Sequence, residues 1–226
     1  MSDSISIIIP AYNDEGTIED VVREAASVAQ ELTDRYEVVV IDDGSHDATG
    51  DILERLEEEN LRVVHHNPNQ GFGPTMRELY GRATEDLLFS APGDGQIPPR
   101  VLGAMMPALE EYDLVVGYRR SRNDPLRRRI QSFVYNSLIS ILYGVRLRDV
   151  NSSKLMKTQI LRDISLTSSS AFIEAELCIK AKAAGYRIGE VVIDHLPRRY
   201  GEASGSKLHV IWDTLKDAVA MWRTLR

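Results

Sequence analysis

The sequence predicts an α/β protein built on a mostly parallel sheet with helices on both faces. Three observations carry this. Short apolar runs alternate with segments whose apolar residues recur every three or four positions. Runs such as Val38-Val39-Val40-Ile41 are apolar without a break, as in parallel strands covered on both sides. The acids, glycines and arginines gather just after these runs, at the strand ends where parallel sheets bind ligands.

The elements follow in order. ISIIIP, residues 5–10, is a strand ending at Pro10. Gly16 and Thr17 open a helix with Ile18, Val21, Val22, Ala25, Ala29 and Leu32 at helical spacing. YEVVVID, 36–42, is the second strand, and a polar helix is expected from Ala48 to Glu59 with Ile52, Leu53 and Leu56 on one side. LRVVHH, 61–66, is a third strand and Pro74 to Ala83 a third helix. DLLFSA, 86–91, and DLVVGY, 113–118, are further strands, separated by a helix from Pro99 to Glu110. Past residue 125 the pattern changes. Residues 130–145 predict a helix with an apolar stripe of Ile130, Phe133, Val134, Leu138, Ile141, Leu142 and Val145, while Tyr135, Ile139 and Tyr143 add apolar surface on another side. Such a helix lies between two layers or touches lipid. Residues 172–185 predict a helix, YRIGEVVIDHL (186–196) a strand, and Ser206 to Arg223 a last helix docked through Leu208, Ile211, Leu215, Ala218 and Trp222. No linker or repeat interrupts the chain, so residues 1–226 read as one domain.

With 226 residues, 43% of them hydrophobic and 27% charged, the chain can bury a sizeable core. A formal net charge of −7 argues against nucleic acid as a partner. One cysteine, Cys178, excludes an internal disulfide, suits a reducing compartment and reads as a small apolar residue on a helix. The N-terminus has neither the basic region nor the apolar length of a secretory signal. No uncharged run reaches the roughly 18 to 20 residues that cross a bilayer; the longest candidate, between Arg129 and Arg146, contains Gln131, Ser132 and Asn136.

The loops carry the chemistry. In IDDGSHD, two acids end a buried strand, Gly44 and Ser45 turn the chain, and Asp47 can cap the next helix. The sharper reading is that Asp43 accepts hydrogen bonds from a nucleobase N–H. In FSAPGDGQIPP, Asp94 is a lone acid in a glycine-flanked turn, suited to a metal–phosphate loop, and Pro92 stands where a partner acid would sit. YRRSRNDPLRRR packs six arginines and one aspartate into a stretch of an otherwise acidic chain. Arginine grips phosphate through paired hydrogen bonds, and these arginines lie just before the apolar helix. Together they describe a site for a lipid phosphate, the alternative being a solvated loop.

IIIPAYNDEGTI, VVVIDDGSHDAT, NQGFG, GDGQIPP and AGYRIGEVVI, in this order over residues 4–210, resemble the inverting family 2 glycosyltransferases of the polyprenyl-phosphate sugar synthase type, such as dolichol-phosphate mannosyltransferase. The resemblance implies a GT-A fold, a UDP- or GDP-linked sugar donor, Mg²⁺ or Mn²⁺, and a polyprenyl phosphate acceptor. It implies that Pro10, Tyr12, Asp14, Asp43, Gly71 and Gly73 line the nucleotide site, although the family has Glu where this chain has Asp14. It makes residues 1–118 the nucleotide-sugar half and 119–226 the acceptor half. The family's Asp-x-Asp-x-Gln loop is here Pro92-Gly93-Asp94-Gly95-Gln96, leaving Asp94 and Gln96 as metal ligands. Magnesium is commonly held by one or two carboxylates with substrate phosphates and water, so one acid suffices and the expected effect is weaker metal binding without donor.

By position, Arg119, Arg127, Arg128 or Arg129, and Ser152 match the family's contacts to the acceptor phosphate, with Ser153 the neighbouring choice. Arg198, Arg199 and Lys207 match a late basic loop closing over the diphosphate. Glu176 matches a common family acid, and Glu174 sits two residues away. A hydroxyl acceptor would need one of them as general base. A phosphate monoester needs none, because its second pKa near ~6 leaves an ionised oxygen at pH 7. His65, His66 and His195 show no metal-ligand spacing and read as structural. The expected function is transfer of a sugar to a polyprenyl phosphate on the cytoplasmic face of a membrane, reached directly or through a membrane-embedded partner subunit. A saccharide or glycolipid hydroxyl acceptor, and a non-catalytic nucleotide-sugar-binding protein, are the alternatives.

Overall fold

The computed structural model describes residues 3–119, 126–198, 200 and 208–224. Among the described residues, seven strands form one sheet in the order β3-β2-β1-β4-β6-β5-β7. Its left half follows the expected alternation: β1 (Ile5–Ala11), α1 (Ile18–Leu32), β2 (Tyr36–Asp42), α2 (Thr49–Arg55), β3 (Leu61–His65), α3 (Phe72–Arg82) and β4 (Leu87–Ser90). Strand β1 pairs in parallel with β2 and β4, and β2 with β3. The right half holds α4 (Val101–Met105), β5 (Leu114–Arg119), α5 (Leu126–Tyr143), β6 (Lys154–Lys157), α6 (Gln159–Asp163), α7 (Ile173–Ala183), β7 (Ile188–Ile193) and α8 (Leu208–Thr224). Strand β6 runs antiparallel to both β4 and β5, while β5 and β7 are parallel.

Successive strand residues face opposite ways, and this sorts the core into two layers. Ile5, Ile7, Ile9, Val38, Val40 and Phe89 pack with α1 and α4. Ile8, Val39, Ile41, Leu88, Leu114 and Val116 pack with α3 and α7 on the other face. Continuous β-branched runs are therefore needed, because both faces are covered.

Several sequence boundaries change for physical reasons. The expected helix 48–59 stops at Arg55, where Leu56 turns extended. Glu57, Glu58 and Glu59 would place negative charge on the carboxyl end of the helix, the wrong sign for its dipole. The expected helix 99–110 is a short α4 followed by a 3-10 turn over Met106–Glu110; Pro107 removes a backbone donor and blocks continuation. Helix α5 uses its two apolar sides differently. Ile139 is 1% exposed, and Tyr135 and Tyr143 pack against the core. Phe133, at 73%, and Ile141, at 81%, face outward with Ile130 and Val134. Helix α8 docks through buried Ala218 and through Asp217, whose Oδ2 accepts from the Ser170 hydroxyl at 2.7 Å. Trp212 stays exposed. No described helix is long and apolar enough to cross a membrane.

Candidate active site

The carboxyl ends of β1 and β2 are stitched together by side chains from their own loops. Asn13 takes a left-handed conformation with φ of 55°. Its N–H donates to Ser45 Oγ at 2.9 Å, and its Oδ1 accepts from the His46 N–H at 2.8 Å. The Asp14 N–H donates to Thr49 Oγ1 at 2.8 Å, and Asp47 Oδ1 accepts from the Thr49 N–H at 3.0 Å, at the start of α2. Tyr12 stands half-open to solvent, its ring 6.3 Å from that of His46 and edge-on to it.

Asp43 is buried and organises the third loop. Its Oδ1 accepts from the Gln70 N–H at 2.8 Å, and its Oδ2 from the Gly71 N–H at 2.9 Å. His66 Nδ1 lies 2.7 Å from Asp43 Oδ1, and its Nε2 lies 3.1 Å from Glu78 Oε2. Burial opposes charge on His66, but the two carboxylates outweigh it and raise its pKa. Glu78 in turn pairs with Arg82. His66, read from sequence only as structural, thus holds the acid proposed to meet the base. Gly71 has φ of +89° and open space where a Cβ would be, so its backbone can be approached closely. Gly73 is required for a different reason: a Cβ there would lie 2.3 Å from the Ser169 carbonyl carbon.

Asp94 sits in the turn after β4, its Oδ1 accepting from the Gln96 N–H at 3.0 Å. Its Oδ2 is paired with the guanidinium of Arg198. The chain after β7 therefore straps across this loop. The Leu196 N–H donates to Gln96 O at 2.8 Å, Gln96 Nε2 lies 3.4 Å from His195 Nε2, and the Tyr200 hydroxyl bonds Glu15 with its ring over Gly16. A cavity of about 270 Å³ beside the strap is lined by Asp94, Gly95, Thr17, Asp20 and Leu196. Asp14 is also here. Its Oδ2 accepts from the Tyr12 N–H at 3.1 Å and lies 2.9 Å from where a Cβ on Gly93 would stand. Burial pushes the Asp14 carboxyl up to about 6; the Tyr12 N–H acts against this, and the charge of Asp94 adds to it. Pro10 closes the floor, its carbonyl accepting from the Gly93 N–H at 3.2 Å.

Arg119 ends β5 and forms a two-pronged pair with Asp149, at 2.5 and 2.8 Å. Ser152 and Ser153 lie at the same end of the sheet, both buried, and their hydroxyls have no hydrogen-bond partner among the described residues. Gly117 makes room for them: a Cβ there would lie 3.3 Å from Ser152 Oγ and 2.3 Å from Ile193 Cδ1. Arg127, Arg128 and Arg129 lie in the first turns of α5, but their side chains fall outside the described residues, as do Arg199 and Lys207.

Glu176 is not brought to these loops. It is 1% exposed, and it accepts from the Thr167 N–H and hydroxyl at 2.9 Å, the Ser168 N–H at 2.8 Å and Lys180 at 2.6 Å. Burial raises its pKa, but the bonds from Lys180, Ser168 and Thr167 outweigh this and the net shift is downward. It connects to the site through the turn 167–170, whose Ser169 packs on Gly73. Glu174 is likewise engaged, by Lys154 and by the Tyr80 hydroxyl at 2.8 Å.

Comparison with known proteins gives the family and the fold. The model of glycosyl transferase family 2 matches residues 6–164. Dodecaprenyl-phosphate galacturonate synthase of Rhizobium johnstonii is 32% identical over 208 residues, 87% of this chain and 60% of that protein. Undecaprenyl-phosphate 4-deoxy-4-formamido-L-arabinose transferase of Aeromonas hydrophila is 28% identical over 213 residues, 92% of this chain and 64% of that protein. The chain thus spans about 60% of the length of such relatives. Among solved structures, glucosyl-3-phosphoglycerate synthase from Mycobacterium tuberculosis with Mn²⁺, UDP and phosphoglyceric acid superposes with a TM-score of 0.70 at 19% identity, over 98% of this chain and 75% of that one. The S. aureus TarS fragment 1–349 with UDP-GlcNAc gives 0.64 at 23% identity, over 90% of this chain and 61% of that one. The expected GT-A fold is borne out by these neighbours.

Proposed function

The chain belongs to glycosyl transferase family 2, and from that premise we propose that it moves a sugar from a nucleotide-diphosphate sugar to a polyprenyl phosphate, with inversion at the anomeric carbon. Residues 1–118 take the donor and 119–226 the acceptor. Tyr12 with His46 flanks the base, Pro10, Asp14 and Asp43 shape the floor of the nucleoside pocket, and Gly71 and Gly73 keep the third loop close to the nucleotide. The names of the relatives support this acceptor class.

The residues around Asp94 fit a divalent ion. Its carboxylate already holds a cation, the Arg198 guanidinium, and one carboxylate with Gln96, donor phosphates and water is a sufficient set for Mg²⁺ or Mn²⁺. When bound, the ion supplies positive charge to the leaving diphosphate. Arg198, paired with Asp94 in this structure, would add positive charge beside the diphosphate, as would Arg199 and Lys207, where charge develops on the leaving group. Arg119 and Ser152, with the Arg127–Arg129 cluster, hold the acceptor phosphate facing the anomeric carbon, opposite the leaving group.

One observation favours a phosphate over a hydroxyl acceptor. Both acids of α7 that a hydroxyl would need as base are already engaged, Glu174 by Lys154 and Tyr80, and Glu176 by Thr167, Ser168 and Lys180. A phosphate oxygen is ionised at pH 7 and attacks without a base. Such an acceptor lies in a membrane. We place the protein peripherally on its cytoplasmic face, with exposed Ile130, Phe133, Val134 and Ile141 of α5 and the arginines at its start meeting the bilayer or a membrane-embedded partner.

The test is a donor panel of UDP- and GDP-sugars with Mg²⁺ or Mn²⁺, read first by thermal shift. A true donor at ~100 times its dissociation constant should add about 2.7 kcal/mol of stability. Transfer to undecaprenyl phosphate is then followed by extraction of labelled lipid. Donor binding with transfer only to a saccharide hydroxyl would overturn the acceptor class, and binding without any transfer would overturn catalysis.

A further inference from the structure

The loop before β6 is fastened by a charge inside the protein. Lys154 is fully buried. Its ammonium has three donors, and all three are used: Val150 O at 2.9 Å, Ser152 O at 3.1 Å and the carboxylate of Glu174. The other oxygen of Glu174 accepts from the buried hydroxyl of Tyr80 on α3. Removing a Lys–Glu pair from water costs several kcal/mol per ion, and apolar residues of the same volume often serve stability as well. Stability alone is therefore a poor reason for an ion pair here.

What the pair does hold is specific. Two of the three acceptors are backbone carbonyls on either side of Asn151, so the ammonium fixes the path of the loop. At one end of that loop is Asp149, which holds Arg119 in a two-pronged grip. At the other are Ser152 and Ser153, buried hydroxyls with no partner among the described residues. Helix α5 braces the same loop: Asn136 Nδ2 donates to Arg148 O at 2.7 Å and Asn136 Oδ1 accepts from the Val150 N–H at 3.2 Å. Through Tyr80 the pair also reaches α3, whose first turn carries the glycines of the donor site.

We infer that Lys154 and Glu174 are a positioning pair that sets the 149–153 loop, and through it Arg119 and Ser152, to receive the acceptor phosphate. This rests on the acceptor reading above. Neither residue touches substrate; both act through the loop they hold.

The test replaces the pair by a neutral one of similar size, Lys154→Met with Glu174→Gln, which keeps an acceptor for the Tyr80 hydroxyl. A misplacement of 1 Å at a reacting group can cost about 10²-fold. The expected result is a Michaelis constant for undecaprenyl phosphate raised roughly ten- to hundred-fold, with donor affinity by thermal shift changed less than about two-fold. An acceptor constant within about three-fold of the parent in a folded double variant, or an equal loss of donor affinity, overturns the proposal. If the double variant does not fold, Tyr80→Phe loosens only the Glu174 end and should show the same split in smaller degree; equal donor and acceptor effects there overturn it. If the parent protein transfers no sugar to polyprenyl phosphate, the acceptor reading fails on its own. The pair is then judged by amide exchange in Tyr80→Phe: faster exchange confined to 149–153 upholds the positioning role, and unchanged exchange there refutes it.

Discussion

Replacing Asp14 by asparagine should stabilise the protein at neutral pH, and the gain should vanish in mild acid. The carboxyl is buried beneath Gly93, with the Tyr12 N–H as its donor and with Asp94 nearby. Its pKa of about 6 stands roughly two units above the ~3.9 of an unfolded chain, which corresponds to about 3 kcal/mol. The sign is set by linkage. Between pH ~4 and ~6 the folded state binds a proton that the unfolded state does not, so this group costs stability above pH ~6 and ceases to do so as pH falls below ~4. An asparagine side chain keeps an oxygen for the Tyr12 N–H and carries no charge. In chelator, at pH 7.5, Asp14→Asn should therefore gain up to about 3 kcal/mol, or roughly 6 to 12 °C in melting temperature for a chain of this size. Urea melts of both proteins at pH 4, 5, 6 and 7.5 give the difference directly, and other carboxylates cancel. A variant no more stable than the parent at pH 7.5, or a difference that stays constant from pH 4 to 7.5, would refute the reasoning.

Three further outcomes are expected. Glu176→Gln should destabilise by about 1–3 kcal/mol at pH 7; because its folded pKa is depressed, the loss should be full above pH ~4.3 and shrink as pH falls through the folded value. Turnover in the folded variant should stay near the parent, and abolished transfer with intact donor binding would instead make Glu176 a base and the acceptor a hydroxyl. Gly73→Ala should cost about 1–3 kcal/mol in denaturant melts, since its new Cβ would stand 2.3 Å from backbone at Ser169; an unchanged midpoint would show that the 167–170 turn gives way. Pro92→Asp should tighten Mn²⁺ binding without donor by roughly ten-fold, about 1.4 kcal/mol, in calorimetry, and equal affinity would show that position 92 does not face the ion.

The left half of the sheet was legible because its signals are local. Ile5 to Ile9, Val38 to Ile41 and the apolar positions of α1 each sit in elements whose spacing alone gives their class. Strand β6 was not legible. KLMK is four residues long and bounded by lysines, and Lys154 enters the core only because Glu174, Tyr80 and two carbonyls meet it there. The facing of α5 was hidden for a related reason. Apolar residues lie on both of its sides, and the side that packs is the one with a polar residue. Asn136 is 8% exposed because both ends of its amide bind the 148–150 backbone. Periodicity counts apolar residues; it cannot see a buried amide that completes a neighbour's hydrogen bonds.

The same limit divides the candidate site. The acids and glycines at strand ends were found because a loop declares itself by composition: Asp43, Asp94, Gly71 and Gly95 punctuate apolar runs. Their partners were not, since they come from far along the chain. Arg198 is 104 residues from Asp94, and His66 joins Asp43 to Glu78 across two elements. This bears on the proline at 92. Taken alone, the loop has lost an acid. Taken with Arg198, it has one carboxylate facing one guanidinium, and a further acid would add to a cluster in which Asp94 and the buried Asp14 already carry more negative charge at neutral pH than one arginine offsets. A charged group at 92 would raise the cost of Asp14 further when no metal is bound. The missing acid and the late arginine thus belong to one charge balance: Arg198 offsets Asp94, the buried Asp14 stays uncompensated at neutral pH, and under the proposed function an acid at 92 would make the loop depend more on a divalent ion.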